Sequence, residues 1–293
     1  MNESNLEYLQ DQVKFTGFGD ELSNKIADGV KTGEEKFKIE FSKAFDKDSV
    51  EVELNFSKSK ESDMYFFNKY NVQLQKEGKE GIKQTFYINK NNNITLREAY
   101  NLMSGRSVYK KLSTKTGDEY MAWLKVDFKD TDTSGNYKVR PYNENYGFNL
   151  NVELNQHPIK ELEREDHKRD LLESLQKGNL ALITYLKGDQ EEKRYISADV
   201  QFKSINFYDL EKQPLGRKKA NKQEEAEGVE VQDVSNGNNI GNTAPVLDNG
   251  AVEENVGGQA AGRSNRIVTG TEEAEDPDVP EKKRARKGKT PSV

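Results

Sequence analysis

The chain has 293 residues, with 45 basic against 51 acidic side chains and a formal net charge of −6, a balance that does not mark the whole molecule as a nucleic-acid binder. It has no cysteine, which excludes disulfides, thiolate metal sites and cysteine nucleophiles. All 13 Tyr, all 13 Phe and the single Trp lie at or before Tyr208, which predicts a folded region over 1–213, divisible into 1–92 and 93–213, and a polar disordered tail over 214–293.

Ser4-Asn5-Leu6-Glu7 has capping-box spacing, and Leu6, Leu9 and Val13 follow at helical intervals up to Gly17. A second short helix is expected over Asp20–Asp28, with Leu22 and Ile26 inward. The period then falls to two. Phe37, Ile39 and Phe41 alternate with polar residues, as do Val50, Val52, Leu54 and Phe56, with a hairpin loop at Asp46-Lys47-Asp48. A second strand pair is expected near Met64–Leu74 and Lys83–Asn89, across the polar run Gln75–Gly81.

Thr95-Leu96-Arg97-Glu98 is another capping box, opening a helix that stops at Gly105. Strands follow at Ser107–Leu112, Tyr120–Phe128 and Tyr137–Tyr142, the first two joined by the turn Thr116-Gly117-Asp118. The same skeleton recurs downstream: a helix over Arg164–Lys177, Gly178, a hairpin through Lys187-Gly188-Asp189, and a last strand over Phe202–Tyr208. The predicted class is α+β, with antiparallel sheets built of hairpins, short helices and a helix–hairpin–strand unit used twice. Helix ends and hairpin turns both favour glycine for backbone reasons, so coincidence is the competing account of that repeat.

Candidate chemistry is sparse. Asp130-x-Asp132-x-Ser134-Gly135 has the first half of a calcium loop, but Pro141 stands where the bidentate Glu would be, so a polar hairpin loop is the expectation. His157 and His167 read as surface residues, short of the three ligands a zinc site needs. Gly17-Phe18-Gly19 lacks the preceding strand of a phosphate loop and reads as a linker between two helices. No catalytic residue, metal or cofactor is therefore nominated. Arg106, Lys110 and Lys111 cluster with Tyr109, a combination that suits phosphate contact and base stacking. Lys282, Lys283, Arg284, Arg286, Lys287 and Lys289 form a basic block that suits nonspecific nucleic-acid contact. The opening Met1–Leu6 has neither a basic n-region nor an apolar h-region, and no run of about 18 apolar residues occurs, so a cytoplasmic location without a membrane partner is expected.

Several stretches taken together resemble a family of uncharacterised Bacteroidetes proteins often carried on conjugative or other mobile elements. They are Lys14-Phe15-Thr16-Gly17-Phe18-Gly19, Ser62-Asp63-Met64-Tyr65-Phe66-Phe67-Asn68, Gln84-Thr85-Phe86-Tyr87-Ile88-Asn89, Asn93–Leu102, Pro158–Leu162 and Gln201–Asn206. The resemblance spans about Leu6 to Tyr208 and implies a setting, a bacterial cytoplasm and genes that handle DNA transfer, without an activity or a site residue. The leading expectation is a non-enzymatic accessory protein with an unknown protein partner and loose nucleic-acid affinity in its tail. The alternatives are a DNA- or RNA-binding module centred on Arg106–Lys111, and an enzyme using Asp127 or His157.

Overall fold

A computed structural model describes residues 2–89 and 92–216. Helix α1 (Glu3–Val13) starts two residues earlier than the Ser4 box predicts, because the Asn2 side chain accepts the Asn5 amide at 3.1 Å and takes the cap. A wide π-type turn over Lys14–Phe18 follows, and α2 (Ser23–Thr32) runs a turn beyond its expected end. Strands β1 (Lys36–Phe45), β2 (Asp48–Lys58), β3 (Tyr65–Gln75) and β4 (Ile82–Tyr87) make an antiparallel meander in chain order. The β1–β2 turn has only two residues, Asp46 and Lys47, with Asp46 in the left-handed region at φ 59°. Alternation does what period two requires: Val50, Val52, Leu54 and Phe56 are buried on one face. Their aromatic neighbours lock together, Phe37 stacking on Phe56 at 4.7 Å, and Phe18 and Phe86 each lying 5.4 Å from Tyr70. Each such side chain contributes roughly 2–3 kcal/mol of apolar burial.

The second capping box forms as read. Glu98 N–H reaches Thr95 Oγ1 at 3.3 Å, and Glu98 Oε2 accepts Thr95 N–H at 2.8 Å, opening α3 (Leu96–Met103). Strands β5 (Val108–Ser113), β6 (Glu119–Thr131) and β7 (Tyr137–Asn143) form a second antiparallel meander. It is a wall shared by two cores. Val108, Leu112, Leu124, Val126 and Val139 join the core of the four-stranded sheet, whereas Trp123 and the flanking Tyr109 and Tyr142 belong to the second core.

The second core holds α4 (Leu150–Leu154), α5 (Glu165–Gln176) and the meander β8 (Ala181–Lys187), β9 (Gln190–Asp199), β10 (Ser204–Tyr208). The helix–glycine–meander skeleton thus occurs twice, in two separate three-stranded sheets. At Gly178 the glycine is required twice over: φ is +78°, and a Cβ there would lie 2.9 Å from Ser107 O and from Val108 Cγ2.

Side-chain amides stitch these layers where strands do not meet. Asn5 accepts Tyr65 N–H at 2.8 Å and donates to Tyr65 O at 3.0 Å. Gln84 does the same to Tyr137, at 2.9 and 3.0 Å, and Asn92 to Ser113, at 2.7 and 3.0 Å. Each carboxamide imitates a peptide group and pairs both backbone groups of one residue, so none is left orphaned. The β8 edge is closed by a carboxylate instead: Glu161 accepts Thr184 N–H at 2.9 Å, while Leu186 N–H donates to Pro158 O at 2.8 Å. No helix among the described residues is long and apolar enough to cross a membrane.

Candidate functional site

The basic cluster adjacent in sequence is dispersed in space. Arg106 turns inward and is 8% exposed; its Nε donates to Gly178 O at 2.7 Å and its Nη2 to Asn101 Oδ1. Lys110 pairs with Glu98 at 2.8 Å, whereas Lys111, on the opposite face of β5, is exposed and pairs with Glu119 at 3.0 Å. Tyr109 packs 5.1 Å from Trp123 in the second core. The structure therefore does not bring the four to one surface. Lys282, Lys283, Arg284, Arg286, Lys287 and Lys289 lie outside the described residues, as does all of the tail beyond 216.

The other nominated groups are occupied in local structure. Asp127 pairs with Arg140 at 2.7 Å. The Lys129 amide and the Arg140 guanidinium, against the opposing effect of burial, hold its carboxyl below the usual range. His157 lies edge-on to Phe207 at 5.0 Å, half-buried where a surface position was expected, and burial lowers its pKa against the Glu153 carboxylate. The calcium-like loop is a hairpin turn held by Asp132, whose Oδ1 accepts Ser134 N–H at 2.9 Å and Asn136 N–H at 2.8 Å. Among the described residues, no three or more His, Asp and Glu side chains converge as metal ligands would.

One large concavity is present, on the outer face of the four-stranded sheet, with a volume of about 1370 Å³. Its floor is the polar half of the alternation: Glu40 from β1, Glu51 and Glu53 from β2, Lys69 and Asn71 from β3, Lys83 and Thr85 from β4. Leu22, capping α2, and Lys25 within it stand at one side, and the Ser134–Asn136 turn at the other. That second wall is built deliberately into the fold, because Asn136 Oδ1 accepts Thr85 N–H at 2.9 Å from the β4 edge. The Asp-x-Asp-x-Ser-Gly motif thus positions a wall of this groove.

Charge is divided across the floor. Acids sit on β1 and β2, and Lys69 and Lys83 on β3 and β4, with amides and a hydroxyl between them. Glu53 accepts Lys38 Nζ at 3.0 Å and Asn71 Nδ2 at 2.9 Å, and Asn71 Oδ1 in turn accepts Thr85 Oγ1–H at 3.0 Å. Burial acts to raise the Glu53 pKa, but the Lys38 and Asn71 hydrogen bonds outweigh it and hold the carboxyl below its ordinary value. Lys69 Nζ lies 5.8 Å above the Tyr87 ring. The floor is a row of hydrogen-bond donors and acceptors drawn from all four strands. Its only advance sign in the sequence is the polar set of alternating positions on four successive strands. Comparison with family models, curated proteins and solved structures gives no match for this chain.

Proposed function

We propose that the chain is a non-enzymatic interaction protein that holds an extended segment of a partner protein in the groove of its four-stranded sheet. The observation that carries this reading is the groove itself: about 1370 Å³, lined from all four strands and walled on two sides. A partner segment of mixed charge fits, with its acids toward Lys69 and Lys83 and its bases toward Glu40 and Glu51. The lowered pKa of Glu53 suits recognition by an ionised carboxylate; a general acid working near neutrality needs the opposite shift. The role as an accessory protein of a bacterial mobile element belongs to the same proposal and rests on the sequence resemblance. The basic block at Lys282–Lys289 adds loose, salt-sensitive affinity for nucleic acid.

The test is affinity capture with the full chain as bait, run beside a double charge reversal, Glu51→Lys with Lys83→Glu, and beside Lys111→Ala as a control outside the groove. A partner retained by wild type and Lys111→Ala and lost by the double variant supports the reading. Equal retention by all three overturns it.

A further inference from the structure

We propose that Lys76, Arg97 and Arg106, gathered around Tyr100 at one end of the four-stranded sheet, form a binding site for a phosphoryl dianion. Tyr100 stacks on Phe45 at 4.3 Å with an interplanar angle of 8°, and its hydroxyl donates to Asp48 Oδ2 at 2.9 Å. Lys76, the first residue after β3, has its ammonium 3.7 Å from the same oxygen. The Arg106 guanidinium lies 5.0 Å from the centre of the Tyr100 ring; that of Arg97 lies 6.0 Å from it and 5.3 Å from Phe45. Arg97 and Arg106 thus lie over a ring pair whose neighbouring carboxylate, Asp48, is also approached by Lys76, and Lys43 Nζ lies 5.8 Å from the Phe45 ring, so positive charge exceeds negative around this pair.

The fold accounts for only part of that excess. Arg106 is held by the Gly178 carbonyl, just past the C-terminal end of α5, and by Asn101 near the end of α3, where helix ends favour a cation. No such compensation reaches the other two. Arg97 meets only the Asn179 amide oxygen, at 3.1 Å, and has no carboxylate within ion-pair distance among the described residues. Lys76 shares its carboxylate with the Tyr100 hydroxyl. Burial lowers the Lys76 pKa, Asp48 opposes this, and Arg106 and Lys79 lower it further. Like charges assembled this closely repel, and a bound anion would relieve that cost. A dianion would offset this excess, and the planar Arg97 fork suits two oxygens of one phosphoryl group. Because Phe45 is only 7% exposed, the rings offer little face to a base, so the phosphoryl group is the element recognised.

The experiment is a calorimetric titration of the full chain with pyrophosphate at low salt. Saturable one-site binding is expected, weakened on the order of 10-fold by Arg97→Ala and likewise by Lys76→Ala, and unchanged by Lys111→Ala. Arg97→Lys keeps the charge without the fork and should fall between wild type and Arg97→Ala. Melting curves of the same variants confirm that each remains folded. A second arm uses adenosine diphosphate. Equal affinity marks the phosphoryl group alone as the ligand, and tighter binding marks a nucleotide as its source; both keep the site. Absence of saturable pyrophosphate binding, or equal weakening by Lys111→Ala, overturns the proposal. The groove reading is untouched by either result, because its variants and its readout are different.

Discussion

Replacing Gly29 by alanine sets two physical rules against each other, and the structure says which prevails. Gly29 lies inside α2 (Ser23–Thr32), where alanine is the better helix former by about 1 kcal/mol. A Cβ at this position, however, would lie 2.5 Å from both Cδ2 and Cε2 of Phe37 and 3.0 Å from its Cγ. The Phe37 ring has little room to retreat, since it stacks on Phe56 at 4.7 Å and leans against Tyr65 at 5.6 Å. Overpacking of this kind costs about 1–3 kcal/mol, so Gly29→Ala should be destabilising by about 1 kcal/mol net. In a folded region of this size that lowers the melting temperature by about 2–4 °C, measured by thermal denaturation followed by circular dichroism. Trimming the obstacle should reverse the sign: in a Phe37→Leu background, the same Gly29→Ala change should stabilise, giving a coupling visible in the double-mutant cycle. A higher melting temperature for Gly29→Ala in the wild-type background would refute the packing argument outright.

Arg106→Ala strands Gly178 O and Asn101 Oδ1 and should cost about 3 kcal/mol, read as a lower urea midpoint; a loss below about 0.5 kcal/mol would mean the guanidinium does not tie α3 to α5. Asp127 has a depressed folded-state pKa, so its contribution is present above the ordinary carboxylate value and is lost as pH falls through the lower folded value. Asp127→Asn should accordingly lower stability by about 0.5–1 kcal/mol at pH 7, with the gap from wild type closing in acid; a gap that widens as pH falls contradicts that sign. In gel retardation, the full chain should shift DNA with an affinity that collapses as salt rises, and the chain truncated after Gly216 should shift it far less. Equal retardation by both would move nucleic-acid binding from the tail to the folded region.

Local rules were readable wherever partners lie close in the chain. The Thr95–Glu98 capping box closes over three residues and forms as its spacing says. The Ser4–Glu7 box has the same spacing but loses to Asn2, whose side chain reaches the amide of Asn5 first and starts the helix earlier. Helix α4 has five residues with only Leu150 and Leu154 buried, too short for a helical period to stand out. What spacing cannot show is a partner far along the chain. Arg106 and Gly178 are 72 residues apart, and the inward turn of the guanidinium depends on that carbonyl. Tyr109 and Lys110 are neighbours in sequence, yet strand alternation sends one to Trp123 and the other to Glu98 on α3. The groove floor was present in the sequence as the polar half of four alternating strands. Its far wall depends on Asn136 meeting Thr85 across 51 positions, a contact no local pattern encodes.

The placement of the groove follows from how the three sheets are covered. The β5–β7 sheet has a core on each face, so its side chains are committed to packing. The β8–β10 sheet buries Ile183, Ile196 and Ile205 on one face. On the other, Asp199 pairs with Lys125, Thr184 is held by Glu161, and Ser197 meets the Tyr208 hydroxyl at 3.1 Å. The four-stranded sheet differs. Its buried apolar side chains lie on the inner face against α1, α2 and α3, and its outer face carries charges and amides over four strands, with Phe66 and Tyr87 among them, without a covering layer among the described residues. A wet outer face is ordinary for an antiparallel sheet, but such a face is usually a flat solvated surface. Here Asp132 shapes a turn whose Asn136 anchors to the β4 edge, and α2 stands at the opposite side. Those two walls convert a solvated face into a trough, and it is on this trough that the proposal of a bound partner segment rests.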